Sequence, residues 1–423
     1  MVDYTEMWEK LNLDLPAHEH LLNVLGKFYG DIYLSQQKRL KGMEYLDFVI
    51  SEIHGLRIKE LIEAQKAGRK VFGTFCVFVP EELIWAADGI CVGLCAGAEI
   101  GKGEAEKVLP RTICPLIKSF MGFKLARLCP FTEACDLVIG ETTCDGKKKA
   151  FEIFSEFKPT YVMEIPQMKR DTDYQLWRDE VWRLKEKIEE TTGNKITAEK
   201  LRQAIKMIND RRRALQRLNK LRRAIPTPIS GRDALLINQI SFYDDPVRFT
   251  EKVNALCDEL EEKVKRKEGV VPKGTTRLLL SGCPMAVPNW KLPYVVESSG
   301  AVIVDEESCI GERNTRDLID ENGATLEEMI DNIVSRCMKI DCACFTPNIE
   351  RIEHIITLAK EYEVDGVIHY TLQFCDPYLV EVYKVEKALE RTGIPILRIE
   401  TDYSMEDIEQ LKTRVEAFVE MVK

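Results

Sequence analysis

The sequence is poor in histidine and in long apolar runs. It contains 5 histidines among 423 residues, and none stands in a spaced ligand pair within a cysteine motif. That absence disfavours zinc sites with mixed histidine and cysteine ligands. No apolar run approaches the roughly 18 residues that a membrane-spanning helix needs. The acidic N-terminal residues also lack the basic and apolar regions of a signal peptide. We therefore expect a cytoplasmic protein without a membrane partner.

Nucleotide-binding motifs are missing as well. No Walker lysine motif and no Gly-x-Gly-x-x-Gly follows a predicted strand, so ATP and dinucleotide cofactors are not expected on this chain. The net charge of −10 gives no general reason to expect nucleic acid as a partner. Residues 202–223 are locally basic, and we interpret them as a solvated or partner-docking helix.

Short apolar runs alternate with helical patterns in two separate parts of the chain. The first set of predicted strands covers residues 70–76, 89–94, 135–140 and 159–165, and the second covers 276–282, 300–305, 365–370 and 394–400. Strands that alternate with helices predict a parallel sheet covered on both faces. Between the two sets, a charged tract has apolar residues at helical spacing, at Trp177, Val181, Leu184 and Ile188.

These patterns predict the fold class. We expect an α/β protein of two pseudo-repeated, flavodoxin-like or Rossmann-like domains with parallel sheets, plus a helical N-terminal segment and a helical middle segment. The predicted boundaries are 1–67 for the helical N-terminal segment, 68–167 for the first α/β cluster-binding domain, 168–270 for the charged helical connection and 271–423 for the second α/β cluster-binding domain. A chain of 423 residues is long enough for two or three domains.

The chain contains 14 cysteines, and their positions repeat between the two halves. A large chain in a reducing compartment can use cysteines as small buried residues, metal ligands or reactive thiols. The first predicted strand of each set leads into Cys76 or Cys283, and the third leads into Cys144 or Cys375. Residues that only fill a core have no reason to recur at strand ends in both halves. The repeat therefore indicates a shared function.

A further cysteine precedes the third strand of each set and completes a matched triad in each half. The triads are Cys76, Cys114 and Cys144 in the first half, and Cys283, Cys344 and Cys375 in the second. Ligands bind beyond the carboxyl ends of parallel strands, and a helix that begins after Cys144 would lower its thiol pKa. Cys342 could replace Cys344, and Cys309 could join the set. We interpret the other cysteines as packing residues: Cys91, Cys95, Cys129, Cys135, Cys257 and Cys337.

Thiolates without histidine partners favour all-thiolate metal chemistry over mixed zinc sites, and a structural zinc or a closed cubane generally needs four ligands. Three thiolates on a 4Fe-4S unit leave one iron open to a substrate or a bridge, and six could hold two cubanes side by side. Glu141, His369 and Tyr370 stand near the cysteine-bearing strand ends, where they would donate protons or pack in the core. The lysine run 147–149 is interpreted as a solvated helix face, with compensation of cluster charge as the alternative.

Several longer stretches resemble a known family. They are residues 75–84 (FCVFVPEELI), 114–119 (CPLIKS), 140–149 (GETTCDGKKK), 305–313 (DEESCIGER), and the segment from 365–368 (DGVI) to 375–378 (CDPY). This pattern resembles the 2-hydroxyacyl-CoA dehydratase and benzoyl-CoA reductase superfamily, from about residue 65 to the C-terminus. Within that superfamily, the single cysteine-rich chain looks like the double-cubane cluster proteins.

The resemblance implies a cofactor, partners and ligands. Such proteins accept single electrons from a separate ATP-hydrolysing iron–sulfur activator. The double-cubane proteins look like homodimers whose chains each carry two bridged 4Fe-4S units, whereas the dehydratases are heterodimers with one cluster in each subunit. The ligand candidates that the resemblance carries over are Cys76, Cys114, Cys144, Cys283, Cys344 and Cys375, with Cys309 as a seventh.

We therefore expect a low-potential iron–sulfur reductase that acts on a small-molecule substrate. Two alternatives stay open at this point. One is a subunit of a 2-hydroxyacyl-CoA dehydratase that holds a single 4Fe-4S cluster, and the other is a non-enzymatic electron-transfer or cluster-storage protein.

Overall fold

The computed structural model describes residues 2–423 and contains two four-stranded sheets. The strands are β1 Val71–Thr74, β2 Ile90–Gly93, β3 Leu137–Glu141, β4 Thr160–Met163, β5 Thr276–Gly282, β6 Ala301–Glu307, β7 Gly366–Leu372 and β8 Ile396–Thr401. All neighbouring strands run parallel, in the orders β2-β1-β3-β4 and β6-β5-β7-β8. The sheets repeat one topology, which confirms the predicted α/β fold with two pseudo-repeated domains.

Helices surround both sheets and fill the segments between them. The N-terminal segment contains α1 Thr5–Lys10, α2 Leu15–Tyr29, a π-helical turn Gly30–Leu34, α3 Met43–Ser51 and α4 Leu56–Lys66. The first sheet is accompanied by α5 Glu81–Ala86, α6 Lys102–Ala105, α7 Pro115–Leu125, α8 Pro130–Ala134 and α9 Asp145–Phe154. The middle segment consists of α10 Asp171–Thr192, α11 Ala198–Leu221, α12 Gly231–Ile240 and α13 Pro246–Lys265. The second sheet is accompanied by α14 Lys291–Ser298, α15 Glu312–Thr315, α16 Leu326–Cys337, α17 Ile349–Glu361, α18 Asp376–Thr392 and α19 Ile408–Val422.

The central strands and the edge strand β6 are buried on both faces, as helices on both sides of a parallel sheet require. Every residue of β1, β3, β5, β6 and β7 is buried. The edge strands β4 and β8 contain partly exposed and exposed residues as well as buried ones. The apolar runs that predict the strands are therefore the cores of the two sheets.

Gly282 ends β5 at a position that only glycine fits. Its φ is +123°, and an added Cβ would collide with the carbonyl oxygen of Tyr370 on β7. The same carbonyl accepts a hydrogen bond of 2.9 Å from the Cys283 N–H. This close approach of β5 to β7 holds Cys283 at the carboxyl edge of the second sheet.

The middle helices connect the two sheets, and their predicted apolar face is confirmed. Trp177, Val181, Leu184 and Ile188 on α10 are all buried. The interpretation of residues 202–223 as a solvated or docking helix is wrong for one face of α11, which packs against α5 and α13. On that face Arg211 and Arg212 are buried, and the fully buried Arg222, just after α11, donates to Glu306 of β6 at 2.7 Å. A basic run alone does not reveal that its guanidinium groups have buried carboxylate partners.

The helices have no membrane-spanning character. Among residues 2–423, none combines the length and the apolar composition that crossing a bilayer requires.

Candidate functional site

The carboxyl edges of both sheets carry cysteines. Cys76 follows β1 and Cys283 follows β5, while Cys309 follows β6. Cys144 and Cys375 follow β3 and β7 and occupy the N-cap positions of α9 and α18. Helix N-termini carry partial positive charge, which favours an ionised thiol over a neutral one. The region in which these thiols meet is here named the cysteine cleft.

One group of thiols in the cleft comprises Cys114, Cys144, Cys283 and Cys375. The hydrogen bond between Cys114 and Cys375, followed by burial, raises the pKa of Cys114 well above its usual value. That same bond lowers the pKa of Cys375, but a hydrogen bond with Cys283 and burial together raise it well above the usual value. Backbone N–H groups also contact two of these sulfurs, since Lys147 donates to Cys144 at 3.4 Å and Leu372 donates to Cys283 at 3.5 Å.

The second group comprises Cys76, Cys309, Cys342 and Cys344. Its most acidic member is Cys342, whose pKa is lowered first by the hydrogen bond from Cys344 and, against burial, by the charge of Arg313. The Tyr378 hydroxyl lies 4.0 Å from the Cys342 sulfur and accepts a hydrogen bond of 2.5 Å from Arg313. Burial raises the pKa of Cys76 and of Cys309 to about 12. Of the two cysteines in the loop before α17, Cys342 is thus the one that most readily forms a thiolate.

The grouping of the thiols crosses the two domains and differs from the predicted triads. Cys114 and Cys144 of the first half associate with cysteines of the second half, and Cys76 associates with Cys309, Cys342 and Cys344. The matched triads of the sequence therefore do not each form a separate group of thiols in the structure. The reason is that the two carboxyl edges adjoin, so a thiol finds partners on the other sheet. All seven predicted ligand candidates nevertheless lie in the cleft.

An apolar cavity opens beside the second group. It contains about 480 Å³ of space, including open solvent, and Cys76, Cys95 and Cys309 line it together with apolar residues such as Phe242. The interpretation of Cys95 as a packing residue overlooks this position. The sequence could have indicated this position of Cys95, because Cys95 follows β2 as Cys309 follows β6. The Cys95 thiol donates to the Phe75 carbonyl at 2.9 Å.

Lys147 is the main cation on the first-domain side of the cleft. Its side chain is 9% exposed, and its ammonium group contacts the carboxylate of the fully buried Glu141. The Lys147 charge opposes the effect of burial on the pKa of Cys76 and Cys95. The interpretation of the lysine run 147–149 as a solvated face is therefore wrong for Lys147, because the first turn of α9 places that side chain inward.

His369 and Tyr370, two of the three predicted proton donors, are neighbours on β7. Their side chains therefore point to opposite faces of the second sheet. Tyr370 lies on the face that carries the thiols: its hydroxyl accepts a hydrogen bond of 2.8 Å from Asn289, and burial followed by the charge of Cys283 raises its pKa well above the usual value. His369 is fully buried and lies 3.2 Å from the Thr371 hydroxyl. Burial, followed by the charge of Arg351, lowers the His369 pKa to about 3.

A network of buried charges supports the second-domain side of the cleft. Glu307 receives hydrogen bonds from Arg313 at 2.5 Å and from Arg351 at 3.0 Å. Ser281 donates to the same carboxylate at 2.7 Å, and Arg351 also pairs with Glu381. Arg313 is thereby fixed beside Tyr378 and Cys342. Such a network holds the orientation of its members because every charge has a partner.

The cleft does not form a site for a single ion. Among residues 2–423, no three His, Cys, Asp or Glu side chains converge on one ion-sized point. Ligands of a multi-iron cluster bind different irons and do not need to converge in this way. A set of buried and partly exposed thiols without histidine, with Lys147 and Arg313 close by, suits the donor chemistry of an iron–sulfur cluster.

Comparison with known proteins places this architecture among described families. The model of a family described as 2-hydroxyglutaryl-CoA dehydratase, D-component, matches residues 76–422. A protein of Escherichia coli (strain K12) named "Putative dehydratase subunit YjiM" is 37% identical over 369 residues, which cover 86% of this chain and 94% of that protein. The (R)-phenyllactyl-CoA dehydratase beta subunit of Clostridium sporogenes is 26% identical over 365 residues, covering 84% and 92%. A benzoyl-CoA reductase subunit of Thauera aromatica is 23% identical over 366 residues, covering 84% and 91%.

Proposed function

Because the chain belongs to the 2-hydroxyglutaryl-CoA dehydratase D-component family, we propose that it is an iron–sulfur enzyme with its cluster in the cysteine cleft. The observation that supports this proposal is the meeting of buried and partly exposed thiols from both domains at the carboxyl edges of the two sheets. When bound, such a cluster supplies one-electron transfer at low potential. We further propose that a separate ATP-hydrolysing activator delivers the electrons and that a small molecule receives them.

The proposed ligands are the two thiol groups of the cleft. They are Cys114, Cys144, Cys283 and Cys375 in the first group, and Cys76, Cys309, Cys342 and Cys344 in the second. Two thiol groups in one chain favour a double cubane, which consists of two bridged 4Fe-4S units. The chain's own contribution to binding is electrostatic: Lys147 and Arg313 offset the negative charge that the thiols gain when they lose their protons.

The apolar cavity beside Cys76 is the proposed place of the substrate. Its space of about 480 Å³, which includes open solvent, is of the size that small-molecule sites have. Phe242 and Ile310 form part of its apolar wall. Tyr370 lies outside this lining, and its buried hydroxyl is near the first thiol group. Of the three candidates, Tyr370 is the proposed proton donor. Glu141 is paired with Lys147, and burial keeps His369 in its neutral form.

A second candidate function is a dehydratase subunit with one 4Fe-4S cluster. It is favoured by the names of the relatives, since the Clostridium sporogenes protein is a (R)-phenyllactyl-CoA dehydratase beta subunit. The two candidates differ in their partners as well. The double-cubane reductase is proposed to be a homodimer, whereas a dehydratase subunit would need a second, different chain.

Iron and sulfide analysis of anaerobically purified protein tests the proposal. The double cubane predicts about eight irons per chain, and the dehydratase subunit predicts about four. Cys144→Ser and Cys342→Ser should each lower the iron content and change the visible absorption spectrum. Cys257→Ser is the matched control, because Cys257 is buried in α13, where its thiol contacts the Ala214 carbonyl at 3.9 Å.

The outcomes separate the alternatives. Iron content near zero in the anaerobic wild-type protein, or equal iron loss in Cys144→Ser and Cys257→Ser, would refute the proposed site. Iron loading without ATP-dependent turnover of any small substrate in the presence of an activator would instead indicate an electron-transfer or cluster-storage protein.

A further inference from the structure

A second cavity adjoins the cysteine cleft and is lined by arginines. It contains about 410 Å³ of space, including open solvent, and shares Cys76 and Phe242 with the apolar cavity. Its remaining wall includes Arg211, Arg212 and Asn314, and also Glu81, whose carboxylate pairs with Arg211. We name it the arginine cavity. Its wall is polar, whereas that of the neighbouring cavity is apolar. The two cavities would therefore bind different classes of ligand.

The two arginines of α11 each have a carboxylate partner. Arg211 pairs with Glu81 and also donates to the Ser241 carbonyl at 3.2 Å. The Arg212 Nη2 lies 2.7 Å from a carboxylate oxygen of Glu82. The Arg212 Nε, however, is buried and has no hydrogen-bond partner. A buried N–H without an acceptor costs free energy, and a bound acceptor would recover that cost.

Arg336 is the third guanidinium group of this region and has no carboxylate partner. It is 3% exposed, and among residues 2–423 no carboxylate oxygen lies within 4.0 Å of its nitrogens. It donates to the carbonyl of Asn314 at 2.5 Å, to that of Asp317 at 3.3 Å and to that of Val77 at 3.5 Å, and its fourth acceptor is the Asn314 side-chain oxygen at 3.3 Å. Val77 and Asn314 line the arginine cavity. Carbonyl dipoles solvate the charge but do not neutralise it.

The neighbouring charges do not supply the missing partner. The Asp317 carboxylate pairs with Arg316 at 2.8 Å. Asp341 is shared between Arg316 at 2.7 Å and Lys169 at 3.3 Å.

A surplus positive charge therefore lies at the edge of the arginine cavity. Glu81 and Glu82 balance two of the three guanidinium groups, and Arg336 is left over. Burial, followed by the charge of Arg212, lowers the pKa of Arg336 to about 10, so that it still carries its charge at neutral pH. Buried charges without a counter-charge are costly and rare. The arrangement is that of a site whose counter-ion comes from outside the chain.

We propose that the arginine cavity binds a small oxyanion, a carboxylate or a phosphate, next to Cys76. Guanidinium groups pair with such anions through charge-assisted hydrogen bonds. The Nε of Arg212 supplies a free donor, and Arg336 supplies the unbalanced charge. This site goes beyond the proposed electron-transfer function and does not depend on it, because the argument uses no cluster and no reaction.

Isothermal titration calorimetry on the anaerobically purified full chain tests the proposal. Sodium acetate and sodium phosphate are titrated in separate arms at fixed chloride concentration and ionic strength. Saturable heat at one anion per chain is expected for at least one of them, and the arm with the tighter binding identifies the ligand as a carboxylate or a phosphate. Absence of saturable heat in both arms overturns the proposal.

Two matched variants locate the site. Arg212→Gln should weaken binding by about tenfold or more, whereas Arg213→Gln should leave it unchanged, because the neighbouring Arg213 is exposed and pairs with Asp210 and Glu321. Equal binding by the two variants overturns the assignment.

Asn314→Asp provides a test that does not rely on removing a buried charge. The new carboxylate would stand where Arg336 already contacts the Asn314 side-chain oxygen at 3.3 Å, and would supply the counter-ion from within the chain. The variant is expected to fold, to melt no lower than the wild type and to lose anion binding. Undiminished anion binding by folded Asn314→Asp refutes the proposed site.

Discussion

Replacement of Lys147 by methionine leaves a buried carboxylate without its partner. The Glu141 side chain is 0% exposed, that of Lys147 is 9% exposed, and the two charged groups are in contact. Removing one member of a buried ion pair costs about 3–5 kcal/mol, because the remaining charge stays desolvated and uncompensated. We therefore expect Lys147→Met to lower the free energy of unfolding by about 3–5 kcal/mol.

Two companion variants separate the ion pair from other effects of the substitution. Lys147→Met combined with Glu141→Leu removes both charges and should recover most of the loss, since apolar replacement of a buried pair is often nearly neutral. Lys148→Met is the matched control, because Lys148 is exposed and pairs only with exposed Asp145. It should change stability by less than about 1 kcal/mol.

Urea unfolding at pH 7 under anaerobic conditions, followed by circular dichroism and tryptophan fluorescence, measures these differences. The reasoning is refuted if Lys147→Met is as stable as Lys148→Met, or if the double variant is no more stable than the single one.

A second measurement on Lys147→Met concerns the thiols of the cysteine cleft. Because the Lys147 charge lowers the pKa of Cys76 and Cys95, its loss should slow the alkylation of these thiols in iron-free protein.

Two further predictions concern the second domain. Gly282→Ala should destabilise the protein by roughly 1–3 kcal/mol or more and lower its iron content, because φ is +123° there and the new methyl group would collide with the Tyr370 carbonyl. Thermal melting measures the loss of stability, and iron analysis measures the loss of iron. A fully stable, iron-loaded variant contradicts the reasoning. Burial opposes the ionisation of Glu307, but Arg313 and Arg351 outweigh it and lower its pKa to about 2. A depressed pKa contributes stability above the unfolded value of about 4.3, and that contribution is lost as the pH falls from there towards 2. Melting temperatures between pH 5 and pH 3 should therefore fall more steeply in the wild type than in Glu307→Gln, and parallel curves would contradict this assignment.

The strand ends could be predicted from the sequence because the signals are local. Each run of apolar residues marks a strand whose two faces are buried, and the cysteine after it needs no knowledge of the rest of the chain. Cys283 illustrates this, since it directly follows the fully buried β5. Cys95 could have been found by the same comparison of the halves, because it occupies the position after β2 that Cys309 occupies after β6.

The partners of each thiol could not be predicted in this way. Cys114 contacts Cys375, although the two residues precede helices that accompany different sheets. That contact depends on how the middle helices set the two sheets against each other, and periodicity within one strand or helix carries no information about such docking. The repeat of the sequence places a matched triad in each half, but it does not show which thiols of the two halves are neighbours.

The same limit applies to the charged residues. A run of lysines or arginines normally indicates a solvated surface, but Lys147, Arg211 and Arg212 are buried beside Glu141, Glu81 and Glu82. Their partners are distant in sequence or lie on other elements, so no local pattern reveals them. The apolar residues of α10 could be predicted because burial of a helix face needs no specific partner.

Burial determines the direction in which the pKa values of Cys76 and Cys309 shift, and this bears on how the cleft would bind metal. Burial raises the pKa of Cys76 and Cys309 to about 12, although the charges of Lys147 and Arg313 oppose it. These two thiols are protonated at neutral pH, so the folded chain does not have to bury two thiolate charges before metal binds. Metal ligation requires thiolates and therefore releases those protons. Under the proposed function the cleft gains negative charge only on binding, and Lys147 and Arg313 already lie where they offset it.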